Sequence, residues 1–222
     1  MRELAPGLWH WDAPHPDWTT EDWWPQRVSS YAIDDGTRLL LFDPLAVPDD
    51  LEQLAAERNP VIVLTAPWHE RDAKSLVERL GAPVFTPPPD TAEDLMRKFD
   101  LTAEQIPQGW VSDDVRWLME ADDVENHLYA AGERLPFGAE VFRGREHNDL
   151  VLWLEKRRAV VAGDSLADFG QGLELQVEKM GGRVTREQVA EGLRPLLERP
   201  VEHVLSAHGG PQDRAALERA LA

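Results

Sequence analysis

The chain has 222 residues, 42% of them hydrophobic, and contains no cysteine. That length suits one substantial domain with a core that needs no staples, and the lack of Cys excludes a disulfide framework, a thiolate metal cluster and a Cys nucleophile. Asp and Glu number 41 against 23 Lys and Arg, a formal charge of −18, and a field of that sign repels phosphate backbones and anionic membrane surfaces.

Met1 to Gly7 include no apolar run long enough for a signal peptide. The longest apolar stretches, Leu39–Phe42, Val61–Leu64 and Leu150–Leu154, are strand-sized and too short to span a bilayer. The sequence therefore predicts a cytoplasmic protein with no membrane or nucleic-acid partner.

Ser29–Ile33 and Arg38–Asp43 flank Asp34-Asp35-Gly36-Thr37, a hairpin signal because Gly accepts positive φ. Pro48–Arg58 reads as a short helix with Leu51, Leu54 and Ala55 on one face. Pro60–Thr65 is a continuous apolar run bounded by Pro, as in a strand buried on both faces. Glu70–Leu80 spaces Leu76, Val77 and Leu80 as a helix that Gly81 stops, and Pro83–Thr86 reads as another strand. Asp90 to about Leu128 is acidic and irregular, with short helices expected around Leu95 and Trp117. Ala139–Phe142, Leu150–Leu154 and Ala159–Ala162 are strand candidates, the last pair joined by a turn at Lys156-Arg157-Arg158. Thr185 to Leu197 predicts a helix capped by Thr185 with Gln188 at its third position. A last strand, Val201–Leu205, leads to His208-Gly209-Gly210 and a closing helix from about Gln212. No tandem repeat interrupts this order, so strands and helices would pack as layers around one core.

Four polar clusters each follow a predicted strand: Trp68-His69-Glu70-Arg71-Asp72, Glu146-His147-Asn148-Asp149, Gly163-Asp164-Ser165 and Ala207-His208-Gly209. Loops at strand ends carry function because a rigid scaffold fixes them while leaving them open. His and Asp supply nitrogen and oxygen ligands to zinc or iron. Each residue also has a plain reading: His69 and Asp72 as helix-terminus groups, His208 as loop material.

The order of these motifs resembles the metallo-β-lactamase superfamily. Leu4–Trp9, Ser30–Ile33 and Leu41-Phe42-Asp43-Pro44 look like its opening strands. Gly132-Glu133-Arg134-Leu135 looks like the strand before its third metal motif. His147, the pair of strands after it and Gly163-Asp164-Ser165-Leu166 look like its His and bridging Gly-Asp, and Leu205–Gly210 looks like its terminal His-Gly. The resemblance implies a four-layer αββα sandwich of two mixed β-sheets flanked by helices, one domain over residues 1–222 with a helical insert at about 90–128.

The family signature Thr-His-x-His-x-Asp-His is eroded. With His69 set as its second His, Ala66 stands at the Thr, Pro67 at the first His, Arg71 at the Asp and Asp72 at the last His. Pro67 offers no ligand and Arg71 is a permanent cation. The resemblance then implies a reduced site, one zinc or iron ion per chain or none, drawn from His69, Asp72, His147, Asp164 and His208. It implies a metal-dependent hydrolase of a small-molecule ester, thioester or amide, in which Asp164 orients water, Arg71 steadies an anion and Asp72 is a candidate base. The alternative is a non-catalytic binding protein in which Arg71 replaces a metal. Trp9, Trp11, Trp18, Trp23 and Trp24 crowd the opening strand and loop. They would either line the mouth of a pocket or cover a sheet edge, including the contact of a homodimer.

Overall fold

Successive residues of a strand point to opposite faces, so an apolar run without alternation can be buried only between two layers. In the computed structural model, which describes residues 1–106, 115–121, 123–177 and 184–222, such runs form the middle of both sheets. The first half of the chain forms β1 (Arg2–Ala5), β2 (Leu8–Pro14), β3 (Arg27–Asp34), β4 (Arg38–Phe42) and helix α1 (Asp49–Glu57). It continues with β5 (Asn59–Val63), α2 (Ala73–Leu80), β6 (Val84–Thr86), α3 (Ala92–Phe99), α4 (Arg116–Glu120) and β7 (Asn126–Leu128). These strands pair in chain order, antiparallel from β1 to β4 and parallel from β4 to β7.

The second half adds β8 (Ala139–Arg143), β9 (Leu150–Leu154), β10 (Ala159–Ala162), β11 (Leu166–Asp168) and β12 (Leu173–Leu175). After these come α5 (Arg186–Leu193), β13 (His203–Ser206), β14 (Gly210–Gln212) and α6 (Arg214–Ala220). The second sheet runs β14-β13-β10-β9-β8 and is parallel only between β10 and β13, while β11 and β12 pair apart from it.

Leu40, Phe42, Val61 and Val63 of the first sheet meet Leu150, Leu152, Leu154 and Val161 of the second in one buried cluster. Their sequence neighbours Leu39, Leu41 and Ile62 face outward and pack with Leu51 of α1 and Leu76 of α2. On the far side Val151, Trp153 and Val160 pack with Val189 and Leu193 of α5 and Leu217 of α6. The layers are therefore helix, sheet, sheet, helix, the expected sandwich of two mixed sheets.

Several expectations shift at element ends. Helix α2 starts at Ala73 rather than Glu70, because Pro67–His69 forms a 3-10 turn and Arg71 takes a left-handed φ of 47°, off the helical path. Gly132–Leu135 is a turn carrying one isolated bridge, Arg134 to Glu140, and not a strand. The helix expected over Thr185–Leu197 divides into α5 and a 3-10 stretch, Arg194–Glu198, where Pro195 cannot donate. Its start is as expected, with Thr185 and Gln188 in a capping box. Helices α3 and α4 lie near Leu95 and Trp117; residues 107–114 and 122, within the same stretch, lie outside the described residues.

Candidate metal centre

The loops after β4, β5, β10 and β13 meet where the two sheets adjoin. Asp43 follows β4 with φ 45°, a left-handed conformation that Asp tolerates. Its carboxylate accepts from Thr65 N at 2.8 Å and Thr65 Oγ1 at 2.6 Å, and lies 3.1 Å from His69 Nδ1. The opposite ring nitrogen, His69 Nε2, is 3.2 Å from Asp164 Oδ1. His208 Nε2 is 3.3 Å from the same oxygen. Gly163 makes this approach possible: a Cβ there would stand 2.6 Å from Asp149 Oδ1 and 3.0 Å from Thr65 Oγ1.

The other oxygen of Asp164 is held from the protein side. Oδ2 accepts from Trp68 Nε1 at 2.9 Å and from Arg145 Nη2 at 3.0 Å. Arg145 is 3% exposed, places Nε 2.8 Å from Asp149 Oδ2 and donates from Nη1 to Gln176 O at 3.0 Å. Burial disfavours an ionised Asp164, yet His69, His208 and Arg145 together hold its carboxyl well below the usual range. For His69, burial would depress the imidazolium, but Asp43 and Asp164 at its two nitrogens push it up to about 9. Burial raises Asp149 to about 6, with Arg145 opposing. Without a metal, His69 is therefore an imidazolium bridging two carboxylates.

His69, Asp164 and His208 offer ligand atoms that all lie within 4.8 Å of one another. Four-coordinate zinc with ligands at about 2.0–2.1 Å sets them about 3.3–3.4 Å apart, close to the 3.2 and 3.3 Å found here. The ring of His69 is already oriented through Nδ1 by Asp43, as metal-binding imidazoles commonly are. The donor set fits one ion. A second ion on the other side of Asp164 would meet the Arg145 guanidinium.

Asp72 and His147 do not join this group. Asp72 Oδ2 accepts from Ala46 N at 2.6 Å, turned toward the loop after β4. His147 Nε2 stands 3.9 Å from Asp94 Oδ2 in a separate cluster with Asp90. There Asp90 pairs with Lys98 at 2.8 Å and Asp94 is engaged in the capping box of α3. Arg145, two residues before His147, enters the centre instead. Its N donates to Ser165 Oγ at 2.7 Å, and Gly144 packs so tightly on Ser165 and Asp149 that a Cβ would stand 2.1 Å from Ser165 Oγ. That contact fixes which residue of the turn points inward. Sequence reasoning missed Arg145; the signal was an arginine beside a glycine at the end of β8.

Arg71 is not on Asp164 either. Nη1 donates to Asp43 O at 2.6 Å, Ser29 O at 2.8 Å and Ser30 Oγ at 3.4 Å. Above the centre lies a cavity of about 280 Å³ walled by Trp23, Trp24, Trp68, Val28 and Phe169, with Arg71 at its side. Trp23 and Trp24 thus line a pocket, while Trp11 is buried under the first sheet with Nε1 donating to Leu45 O at 2.7 Å.

No protein-family model and no curated protein matches the sequence. Solved structures do match it. A metallo-beta-lactamase family protein from Thermus thermophilus is 19% identical, with a TM-score of 0.61 over 98% of this chain and 78% of that one. An archaeal metallo-beta-lactamase superfamily protein from Sulfolobus tokodaii is 15% identical, with a TM-score of 0.62 over 97% and 84%. The protein TTHA1623, solved in a di-iron-bound form, is 21% identical, with a TM-score of 0.57 over 88% and 94%. The chain has the metallo-β-lactamase fold. Within that fold its signature is further eroded than a register on His69 suggests. Thr65 is the threonine tied to Asp43, and setting the signature's Thr there puts Ala66, Trp68, Glu70 and Arg71 at its ligand positions. His69 then occupies a position the signature leaves open, and Trp68 reaches Asp164 in place of a ligand.

Proposed function

We propose that the chain is a hydrolase of a small-molecule ester, thioester or amide, working with one zinc or iron ion held by His69, Asp164 and His208. The observation that carries this is the convergence of two imidazole nitrogens on one carboxylate oxygen at the floor of an aromatic-walled cavity. Such an ion supplies Lewis acidity and lowers the pKa of water from 15.7 toward about 7. Asp43 keeps His69 Nδ1 occupied, so that Nε2 faces the cavity. Trp68 and Arg145 keep Asp164 Oδ2 occupied, so that Oδ1 does the same. The indole and phenyl walls exclude bulk water from the carbonyl to be attacked, which strengthens every charge interaction inside.

The test is elemental analysis of the purified protein beside His69→Ala, Asp164→Ala and His208→Ala, with a panel of small esters and thioesters assayed on the same samples. About one zinc or iron per chain is expected, lost with activity in each variant. Folded wild-type protein that takes up no metal on incubation would overturn the proposal.

One observation favours a second reading. Arg145, Trp68 and the His69 imidazolium already satisfy Asp164 without an ion, as in a non-catalytic binding protein that kept the scaffold. On that reading Arg145, and not Arg71, is the cation standing in for a metal, and ligand binding survives chelation.

A further inference from the structure

Arg71 is a cation of this cavity that Asp43, Asp164 and Asp72 influence only from beyond ion-pair contact. Its three hydrogen-bond acceptors, Asp43 O, Ser29 O and Ser30 Oγ, are all neutral, and all are served by Nη1. Among the described residues no carboxylate lies within ion-pair distance of it, whereas Arg145 sits between two. Nε and Nη2 have no hydrogen-bond partner among the described residues, and Arg71 lines the cavity. The backbone holds Arg71 at φ 47°, a conformation that costs a side-chain-bearing residue energy and persists only where its surroundings impose it.

We infer that Arg71 is the anion-recognition group of this pocket and that its ligand is a small aromatic or apolar monocarboxylate. The inference rests on the pocket described above and not on the metal. Nε and Nη2 form the edge of a guanidinium that matches both oxygens of a carboxylate, and fastening Nη1 to two carbonyls holds that edge in place before a ligand arrives. The body of the ligand is set by the walls. Trp23 and Phe169 meet edge to face at 5.3 Å, and Trp24 and Phe169 each stand 5.4 Å from the His208 ring. At about 280 Å³ the cavity is at the low end of ligand pockets, about 300–1,000 Å³, which suits a single ring with a short acidic arm. The overall charge of −18 works against polyanions, so one localised cation selects a small monoanion.

Phenylacetate and its neutral counterpart phenylacetamide are the probes, titrated by tryptophan fluorescence and calorimetry into chelator-treated and zinc-loaded protein. In both states phenylacetate should bind about tenfold tighter or more, the scale of one charge-assisted pair. Arg71→Lys, which keeps the charge and loses the fork, should weaken the acid and leave the amide unchanged. Arg71→Gln should abolish the difference. Equal binding of acid and amide to metal-free wild type would overturn the inference, as would a preference that persists in Arg71→Gln. A preference that appears only with zinc would place the anion on the ion and also overturn it. Should Arg71→Gln not fold, the acid–amide comparison on metal-free wild type and Arg71→Lys decides. Failure to take up metal leaves this result standing and removes only the hydrolytic reading.

Discussion

Arg145 and Asp164 form a buried ion pair, Nη2 to Oδ2 at 3.0 Å, and the same guanidinium lies 2.8 Å from Asp149. One cation thus compensates two carboxylates away from water. Breaking a buried pair by removing one partner costs about 3–5 kcal/mol, because the charge left behind is unpaired. Arg145→Leu should lose that much, read as a lower urea midpoint at unchanged slope. Asp149 has its carboxyl raised from 3.8 to about 6, so its ionisation weighs against the fold increasingly as pH rises from about 4 to 6 and fully above that, and the loss should be smaller at pH 5 than at pH 7. A loss under about 1 kcal/mol would show that the carboxylates find other partners.

The pH dependence of the metal-free protein follows from His69. Its folded pKa of about 9 stands above the ordinary 6.5, so its contribution is complete below about 6.5 and disappears as pH rises through 9. At about 1.4 kcal/mol per unit, the contribution is at most about 3–4 kcal/mol. Thermal unfolding of chelated protein should move to lower temperature between pH 6.5 and 9, and His69→Gln should flatten that slope.

The same proton must leave before Nε2 can hold an ion. Zinc binding at pH 7 should release about one proton, and affinity should climb with pH until about 9. Calorimetry in buffers of different ionisation enthalpy measures the release directly. An enthalpy independent of buffer would mean that His69 is not a ligand.

Asp43→Asn should weaken zinc binding by about 10–100-fold without touching a ligand, because it removes the partner that orients His69. A competing chromophoric chelator reads this out. Nothing should happen to the same measurement in His147→Ala, since His147 stands beside Asp94.

What could be read in the sequence was whatever a short stretch decides alone. Apolar runs at Leu39–Phe42, Val61–Leu64 and Leu150–Leu154 can be buried only between layers, and Thr185 with Gln188 announces its helix start. The order of polar clusters after strands pointed to His69, Asp72, His147, Asp164 and His208 together, of which the structure gathers only His69, Asp164 and His208. The choice of Arg145 over His147 was not legible. A turn two residues longer or shorter sends a different side chain inward, and here Gly144 against Ser165 sets it, a contact between positions about twenty apart in the chain. Asp72 was lost likewise to the left-handed backbone of Arg71, which turns the loop before α2. The chain by itself determined its layers and offered the candidate donors, because periodicity and strand ends are local. Which charges meet over Asp164 and which face the cavity was decided only by tertiary packing, because those contacts join loops from both sheets.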